Sequence, residues 1–478
     1  TSVPSVTATA DGGSVFAGWA GGGCSGKVSP CTPTPWPPAG PTTDVYGAFT
    51  KPTVDRIAAG ESQSCALTTS GTPSCWGTDT DGELGNGATT GDQSSPSAVS
   101  PTLTLAGIAT GKNHSCGVTT TSTLFCWGSD DAWQIGDGDE GQPGTPVGDG
   151  PETSPAQEST AATDWLQVAT GALHTCALKT AGTAFCWGSN AVGQVGNGTL
   201  DSQPAPVAVT GGLAFTRIAA GDQTTCAVAD SGVAYCWGSD ANGRLGNGDT
   251  NVDVSAPSAV VVPTALATLG AGFLDVAAGA AHACAIALDG TAWCWGSDSS
   301  GQLGNGATST DQSTPVAVTM PGGRTFARIA AGGNTSCALA DDGAVYCWGS
   351  NTDGQVGDAS TTDRNVPTLV VAPGIVFTGV SVGSLHTCGS TSTLMYCWGS
   401  DGNGRLGNGA ALSAGQSSPS LVGASLRIAK AGAGSGTVTA DLGGGPSTLC
   451  DATCSTANAV SPFNGTLTLA SSSTDTFE

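Results

Sequence analysis

The tripeptide Cys-Trp-Gly occurs seven times, at Cys75, Cys126, Cys186, Cys236, Cys294, Cys347 and Cys397. Each copy follows a second cysteine: Cys65, Cys116, Cys176, Cys226, Cys284, Cys337 and Cys388. The two are ten residues apart in six copies and nine in the last. A short apolar phrase such as IAAG (57–60) or IATG (108–111) precedes each pair. A Gly-rich phrase follows, LGNG at 84–87 and its variants, then a Pro-x-x-Val-like segment such as PSAV (96–99). A repeat of 50 to 60 residues is one small unit that cannot bury its faces alone, so its copies must pack on one another.

Each unit reads as a small sheet. The apolar phrase is a short strand, and CALADDGAVYC (337–347) is two strands around an Asp-Asp-Gly turn. The Pro-initiated segment belongs at an edge, where a missing N–H is tolerated. The Gly-rich phrase suits positive φ or close backbone approach, and the Trp after each second cysteine would fill the space between units. The last PSLV (419–422) is placed to complete the sheet begun by the first residues and so to close a ring. The fold class expected is all-β: a seven-bladed β-propeller with a small β module formed by the two flanks.

Composition narrows the function. The chain has 478 residues, 13 Lys and Arg against 37 Asp and Glu, a net charge of −24, and 100 Gly and Pro (74 + 26). Nucleic-acid binding needs clustered positive charge, which is missing. No apolar run reaches the ~20 residues that span a membrane as a helix.

The order IAAG–H–C-A-L–DG–CWG–GQLG-NG resembles the regulator-of-chromosome-condensation repeat, over about 53–423. The resemblance implies a seven-bladed propeller and says little about function, since this fold hosts unrelated roles. The nuclear member promotes nucleotide exchange on a small GTPase and binds nucleosomes; neither suits an acidic, cysteine-rich chain. A secreted bacterial propeller of this type inhibits β-lactamases by protein–protein contact, and no motif here carries over that site.

The paired cysteines flank a hairpin turn symmetrically and would face each other across two strands, close enough for disulfides. Seven such bonds imply an oxidising compartment, hence an exported protein, read as a mature chain or a fragment of one.

Both flanks resemble the divergent internalin-type B repeat of bacterial surface proteins, in permuted order. The family's first part matches Leu426, Gly432, Gly434, Gly436, Val438, Cys450 and Cys454 in 424–478. Its second part matches Phe16, Gly18, Trp19, Gly21, Cys24 and Cys31 in 1–52. The resemblance implies a cysteine pair in each part. Strands 6–16 and 466–477 match the same family segment. The two parts then meet within one molecule, or complement those of the next molecule head to tail through Val6, Phe16, Trp19, Leu426, Val438, Leu467, Leu469 and Phe477, or are truncated modules of a longer chain.

Little chemistry is legible. All four histidines, His114, His174, His282 and His386, occupy one repeat slot, which holds Gln63, Thr224 and Thr335 elsewhere. A partial His ring around the channel is the metal reading; three blades dispense with His, so the slot reads instead as a bond to neighbouring backbone. The pairs Asp79 and Asp81, Asp130 and Asp131, and Asp137 and Asp139 read as turn residues, with calcium as the alternative. No nucleophile elbow, zinc helix or phosphate loop occurs. No other cofactor is expected. The function expected is a non-enzymatic, secreted bacterial surface or extracellular structural protein, a filament subunit binding itself head to tail. The alternative is an adhesin or protein inhibitor, binding a protein or glycan through the 131–165 loop with Trp133 and Trp165.

Overall fold

The structure, a computed structural model, describes residues 56–423 apart from position 90 and the stretches 139–149, 270–271, 308–309 and 410–414. It also describes flanking strands at 15–20, 46–50, 425–429, 438–441, 446–450 and 456–460. Seven four-stranded antiparallel sheets follow one another, each joining four consecutive strands in chain order. The first blade is Ile57–Ala59, Gln63–Leu67, Pro73–Gly77 and Gln93–Ala98; the seventh is Gly379–Val382, His386–Ser390, Met395–Gly399 and Gln416–Leu421.

The cysteines are direct register partners on the second and third strands, as in Cys65↔Cys75 and Cys388↔Cys397. Their Cα atoms lie 4.0–4.1 Å apart, the separation of a close-approach antiparallel pair, and all seven pairs are disulfide-bonded. Every one of these sulfur-bearing residues is fully buried. Cys24, Cys31 and Cys454 lie outside the described residues, and Cys450 ends the strand Pro446–Cys450.

The prolines of the fourth strands sit within them rather than at their start, as Pro96 does in Gln93–Ala98. The register slips there, between Cys75 and Gly77 on the partner strand, so the proline falls at an irregularity on an edge.

The core is divided among the seams between blades. One seam packs Leu67, Leu84 and Val99 of blade 1 on Leu105, Ile108 and Trp127 of blade 2. At each seam the Cys-Trp-Gly indole is fully buried and its Nε1 donates to a carbonyl of the preceding blade's Gly-rich phrase: Trp127 to Glu83 at 3.0 Å, Trp187 to Gln134 at 3.0 Å. The glycine two residues after that carbonyl lies against the same ring. A Cβ on Gly136 would stand 2.3 Å from Trp187 Nε1, and its φ of +78° favours glycine in any case.

The ring does not close as the sequence suggested. PSLV (419–422) does not complete the first sheet; Ser420 and Leu421 pair with Cys397 and Tyr396 of their own blade. Blades 7 and 1 meet face to face like any other neighbours, with Trp76 Nε1 donating to Arg405 O at 2.9 Å and Ile57 and Ala59 packed against Met395 and Leu406. Ala59 N donates to Ser381 Oγ at 3.0 Å and Ser384 N to Gly60 O at 3.1 Å across the same seam.

The flanking strands form two-stranded ribbons: Val15–Ala20 with Tyr46–Thr50, Ser425–Ala429 with Thr456–Val460, and Val438–Asp441 with Pro446–Cys450. Among the described residues no strand of one flank pairs with the other flank. Phe16, Trp19, Leu426 and Val438 lie on these ribbons. Val6, Leu467, Leu469 and Phe477 lie outside the described residues.

Candidate functional site

The four histidines are buried in the seams between blades. Each is at most 1% exposed. Each Nε2 meets a hydroxyl of the next blade: His114 with Thr175 at 2.8 Å, His174 with Thr225 at 2.9 Å, His282 with Ser336 at 2.8 Å and His386 with Ser64 at 2.7 Å. The partner is therefore a side chain, not the backbone expected. That hydroxyl donates its own proton to a carbonyl, as Thr175 does to Gln134 O at 2.8 Å. The hydroxyl oxygen can then only accept, which fixes the proton on Nε2 and leaves Nδ1 bare. All four Nδ1 atoms are buried without a hydrogen bond. Burial lowers the pKa to about 3 for His114, with His174 adding to the effect, and to about 4 for His174. Burial, helped by Arg244, takes His282 to about 4, and His386 is lowered well below the usual value by burial and then Arg405. In the other blades Gln63 Nε2 donates to Gly111 O at 3.3 Å, and Thr224 to Ser239 O at 3.0 Å. With His or Gln the slot fastens a seam; Thr224 and Thr335 bond within their own blades. Among the described residues no three His, Cys, Asp or Glu side chains form a metal-ligand cluster.

The first strands of all seven blades surround an axial cavity of about 670 Å³. Among its charged groups, Asp275 lies 3.8 Å from Arg217 and 3.5 Å from Arg328 and accepts Ile329 N–H at 3.3 Å. Lys112 and Glu61, beyond the strand ends, pair at 3.4 Å. The arrangement knits neighbouring blades around the axis.

The two tryptophans expected on a binding face part company. Trp165 is 1% exposed and donates Nε1 to Glu158 Oε1 at 3.0 Å, so it is core and offers no surface. Its slot is filled by Leu105, Phe215, Phe273 and Phe326 in other blades, a signal present in the repeat. Trp133 is partly exposed and has φ +62°. Its six counterparts, Gly82, Gly193, Gly243, Gly301, Gly354 and Gly404, are all glycines with φ between +73° and +85°. A left-handed conformation costs a side-chain-bearing residue about 1–2 kcal/mol. At the six glycines an added Cβ would also come within 2.5–2.7 Å of a Cα in the next blade. Trp133 is thus a bulky residue placed where the repeat otherwise demands none.

Asp79 and Asp130 serve their turns: Asp79 accepts Leu84 N at 3.3 Å and Asn86 Nδ2 at 3.0 Å, and Asp130 accepts Ile135 N at 2.8 Å. Asp81 accepts Asn113 Nδ2 at 3.3 Å; Asp139 lies outside the described residues.

Seven self-contained four-stranded blades about one axis define a seven-bladed β-propeller. The chain belongs to the RCC1-like domain family, whose sequence model matches residues 3–334 and 108–440. The ultraviolet-B receptor UVR8 of Arabidopsis thaliana is 29% identical over 322 residues, 67% of this chain and 58% of the relative. The human probable E3 ubiquitin-protein ligase HERC6 is 29% identical over 339 residues, 70% of this chain and 27% of the relative. The chain thus spans less than two thirds of these relatives' length. Among solved structures, yeast RCC1 (Prp20), bound to Kap60, superposes with a TM-score of 0.63 at 19% identity, covering 74% of this chain and 84% of that one. Human WBSCR16 gives 0.61 at 21% identity, covering 73% and 91%. At these identities the structures show the shared fold.

Proposed function

We propose that this chain is an exported, non-enzymatic propeller that acts by binding a protein partner through the loop face around Trp133. The observation that carries this reading is the strained, partly exposed Trp133, its Nε1 buried without a hydrogen bond, in a slot that six blades give to glycine. Strain retained at a surface aromatic has a purpose other than folding, and Trp is a residue on which interface energy concentrates. Seven disulfides support export. The relatives add a general expectation of binding: the solved structures include yeast Prp20, studied for its binding to Gsp1p and histones. A photo-crosslinking residue in place of the exposed Asp131, introduced in the producing cell, should trap a protein adduct, and the adduct should disappear with Trp133→Gly. Labelling no stronger than from the same probe at Val376, which is 62% exposed, would refute the reading.

A second reading, head-to-tail assembly into an extracellular filament, draws on the flanks. Two-stranded ribbons are marginal alone and leave edges open to another chain. The blades close into a ring without them. Light scattering on native, non-reduced protein should then give a mass well above the 46.3 kDa of one chain, falling to a single ring when 1–52 is removed. A uniform monomer sinks assembly and leaves the loop-face reading standing.

A further inference from the structure

The residue after each Cys-Trp-Gly-Ser (or Thr) is Asp79, Asp130, Asn190, Asp240, Asp298, Asn351 or Asp401, and the repeat makes these positions controls for one another. In every blade one side-chain oxygen does the same work: Asn190 Oδ1 accepts Val195 N, Asp240 Oδ1 accepts Leu245 N and Asp298 Oδ1 accepts Leu303 N, at 2.9–3.1 Å. The other terminal atom differs. Asn190 Nδ2 donates to Thr199 O and Asp201 O at 3.0 Å and to Asn197 Oδ1 at 3.3 Å. Asn351 Nδ2 donates likewise to Thr362 O at 3.0 Å and to Ser360 O and Asp358 Oδ1 at 3.2 Å. The amide fills a cup of oxygens.

In blades 4, 5 and 7 an Asp oxygen replaces that donor. Asp240, Asp298 and Asp401 are each at most 1% exposed, and the Oδ2 of each is buried with no hydrogen bond. Their loops are also longer. The register partner of the Cys-Trp-Gly glycine lies 13 residues after Asn190 and Asn351, but 14 after Asp240 and Asp298 and 15 after Asp401. In blade 4 the loop adds acid: Asp249 and Asp253 both act electrostatically on Asp240, beside the amide of Val252, which steadies it from further off. Asp253 Oδ1 accepts Asp240 N at 2.9 Å, and Asn247 Oδ1 accepts Asp249 N at 3.0 Å. Arg244, the cation nearby, donates instead to Ala241 O and Ala280 O, both at 2.8 Å.

We propose that the 240–253 loop binds one calcium ion, with Asp240 Oδ2 as its buried ligand and Asp249 and neutral loop oxygens completing the shell. In blades 3 and 6 an amide is the positive centre of the cup; in blade 4 an unpartnered carboxylate oxygen stands at that repeat position, with two further carboxylates acting on it. A hard cation with flexible, all-oxygen coordination fits that set, whereas zinc would want nitrogen or sulfur. Magnesium, which demands a tight octahedron, fits less well.

The test is thermal unfolding of EDTA-treated protein at neutral pH, with and without millimolar CaCl2 or MgCl2, read alongside calorimetric titration of CaCl2. Calcium, more than magnesium, should raise the melting temperature. Asp240→Asn, which installs the amide of blades 3 and 6, should fold, melt higher than the metal-free parent, and bind one calcium fewer. Asp249→Asn, an exposed change that leaves Asp240 in place, should raise the half-saturating calcium about tenfold or more. A parent protein indifferent to calcium, or an Asp240→Asn protein with the parent's full calcium stoichiometry, overturns the proposal.

Discussion

Acidification from about pH 7.5 to about pH 5 should loosen the ring through its histidines. Their folded pKa values lie at about 3 for His114 and about 4 for His174 and His282, against about 6.5 in an unfolded chain. A depressed value means that only the unfolded chain takes up the proton in this window. The stability these groups contribute is complete above pH ~6.5 and is lost as the pH falls toward the folded values. At about pH 5 each histidine has removed about 2 kcal/mol, and these three together about 6 kcal/mol. His386 adds in the same direction. That sum is comparable with the ~5–15 kcal/mol by which folded domains are stable. Buried carboxyls of raised pKa, among them Asp222 and Asp298, oppose the trend, because the folded state keeps their protons longer; they act nearer the ordinary carboxylate range. The clean comparison is therefore between proteins. His174→Gln takes the residue that blade 1 already uses in Gln63. Denaturant unfolding midpoints across this window should show the acid loss shrinking by about 2 kcal/mol for His174→Gln and by about twice that for His174→Gln with His282→Gln. Equal pH slopes for the parent and the double variant would refute the account of a bare Nδ1 in a buried seam.

Gly136→Ala should lower stability by about 3 kcal/mol or more, from positive φ and a Cβ forced onto the Trp187 ring, whereas Gly91→Ala, at φ +77° with no neighbour within 4 Å, should cost only about 1 kcal/mol; paired urea melts decide. Removing one staple with Cys176→Ala and Cys186→Ala together should cost about 2–3 kcal/mol, and native protein should resist dithiothreitol until it is heated, as thiol titration against temperature would show. Trp133→Gly should leave the melting temperature unchanged or raise it despite the loss of a large side chain; a fall of several degrees would mean that the indole is structural. Deletion of 1–52 should leave the melting temperature of the ring intact, measured by near-ultraviolet circular dichroism.

The fold was legible because its determinants recur. Cys-Trp-Gly fixes a strand, its cysteine partner fixes the register of a hairpin, and the buried indole fixes the blade to the one before it. What was not legible is phase and neighbour. A cyclic repeat has no intrinsic first strand, so PSLV (419–422) reads equally well as the end of blade 7 or the beginning of blade 1; only the pairing of Ser420 with Cys397 decides. The histidine partners are hydroxyls 51 to 61 residues away, or 322 for His386 across the ring closure, one place after the same slot in the next blade, as Thr225 is for His174. No local pattern announces such a contact. Trp165 and Trp133 were separable in principle, since aligning the repeats puts one among Leu and Phe and the other among glycines. The orphaned Asp240 Oδ2 needed coordinates, because only burial distinguishes it from the many turn aspartates that face water.

The seam between blades 7 and 1 has a mechanical consequence. No strand is exchanged across it, so it holds by packed side chains, Trp76 and a few hydrogen bonds rather than by a ladder. Tension applied through the two flanks falls on that one seam, because the chain enters at blade 1 and leaves from blade 7. The ring should open there as a split washer does, with each blade surviving as a unit. Further extension is limited, since every cross-linked hairpin keeps its nine or ten residues out of the length that can be drawn out, about 3.4 Å each. Such a body yields first by a reversible gap and resists being pulled into thread.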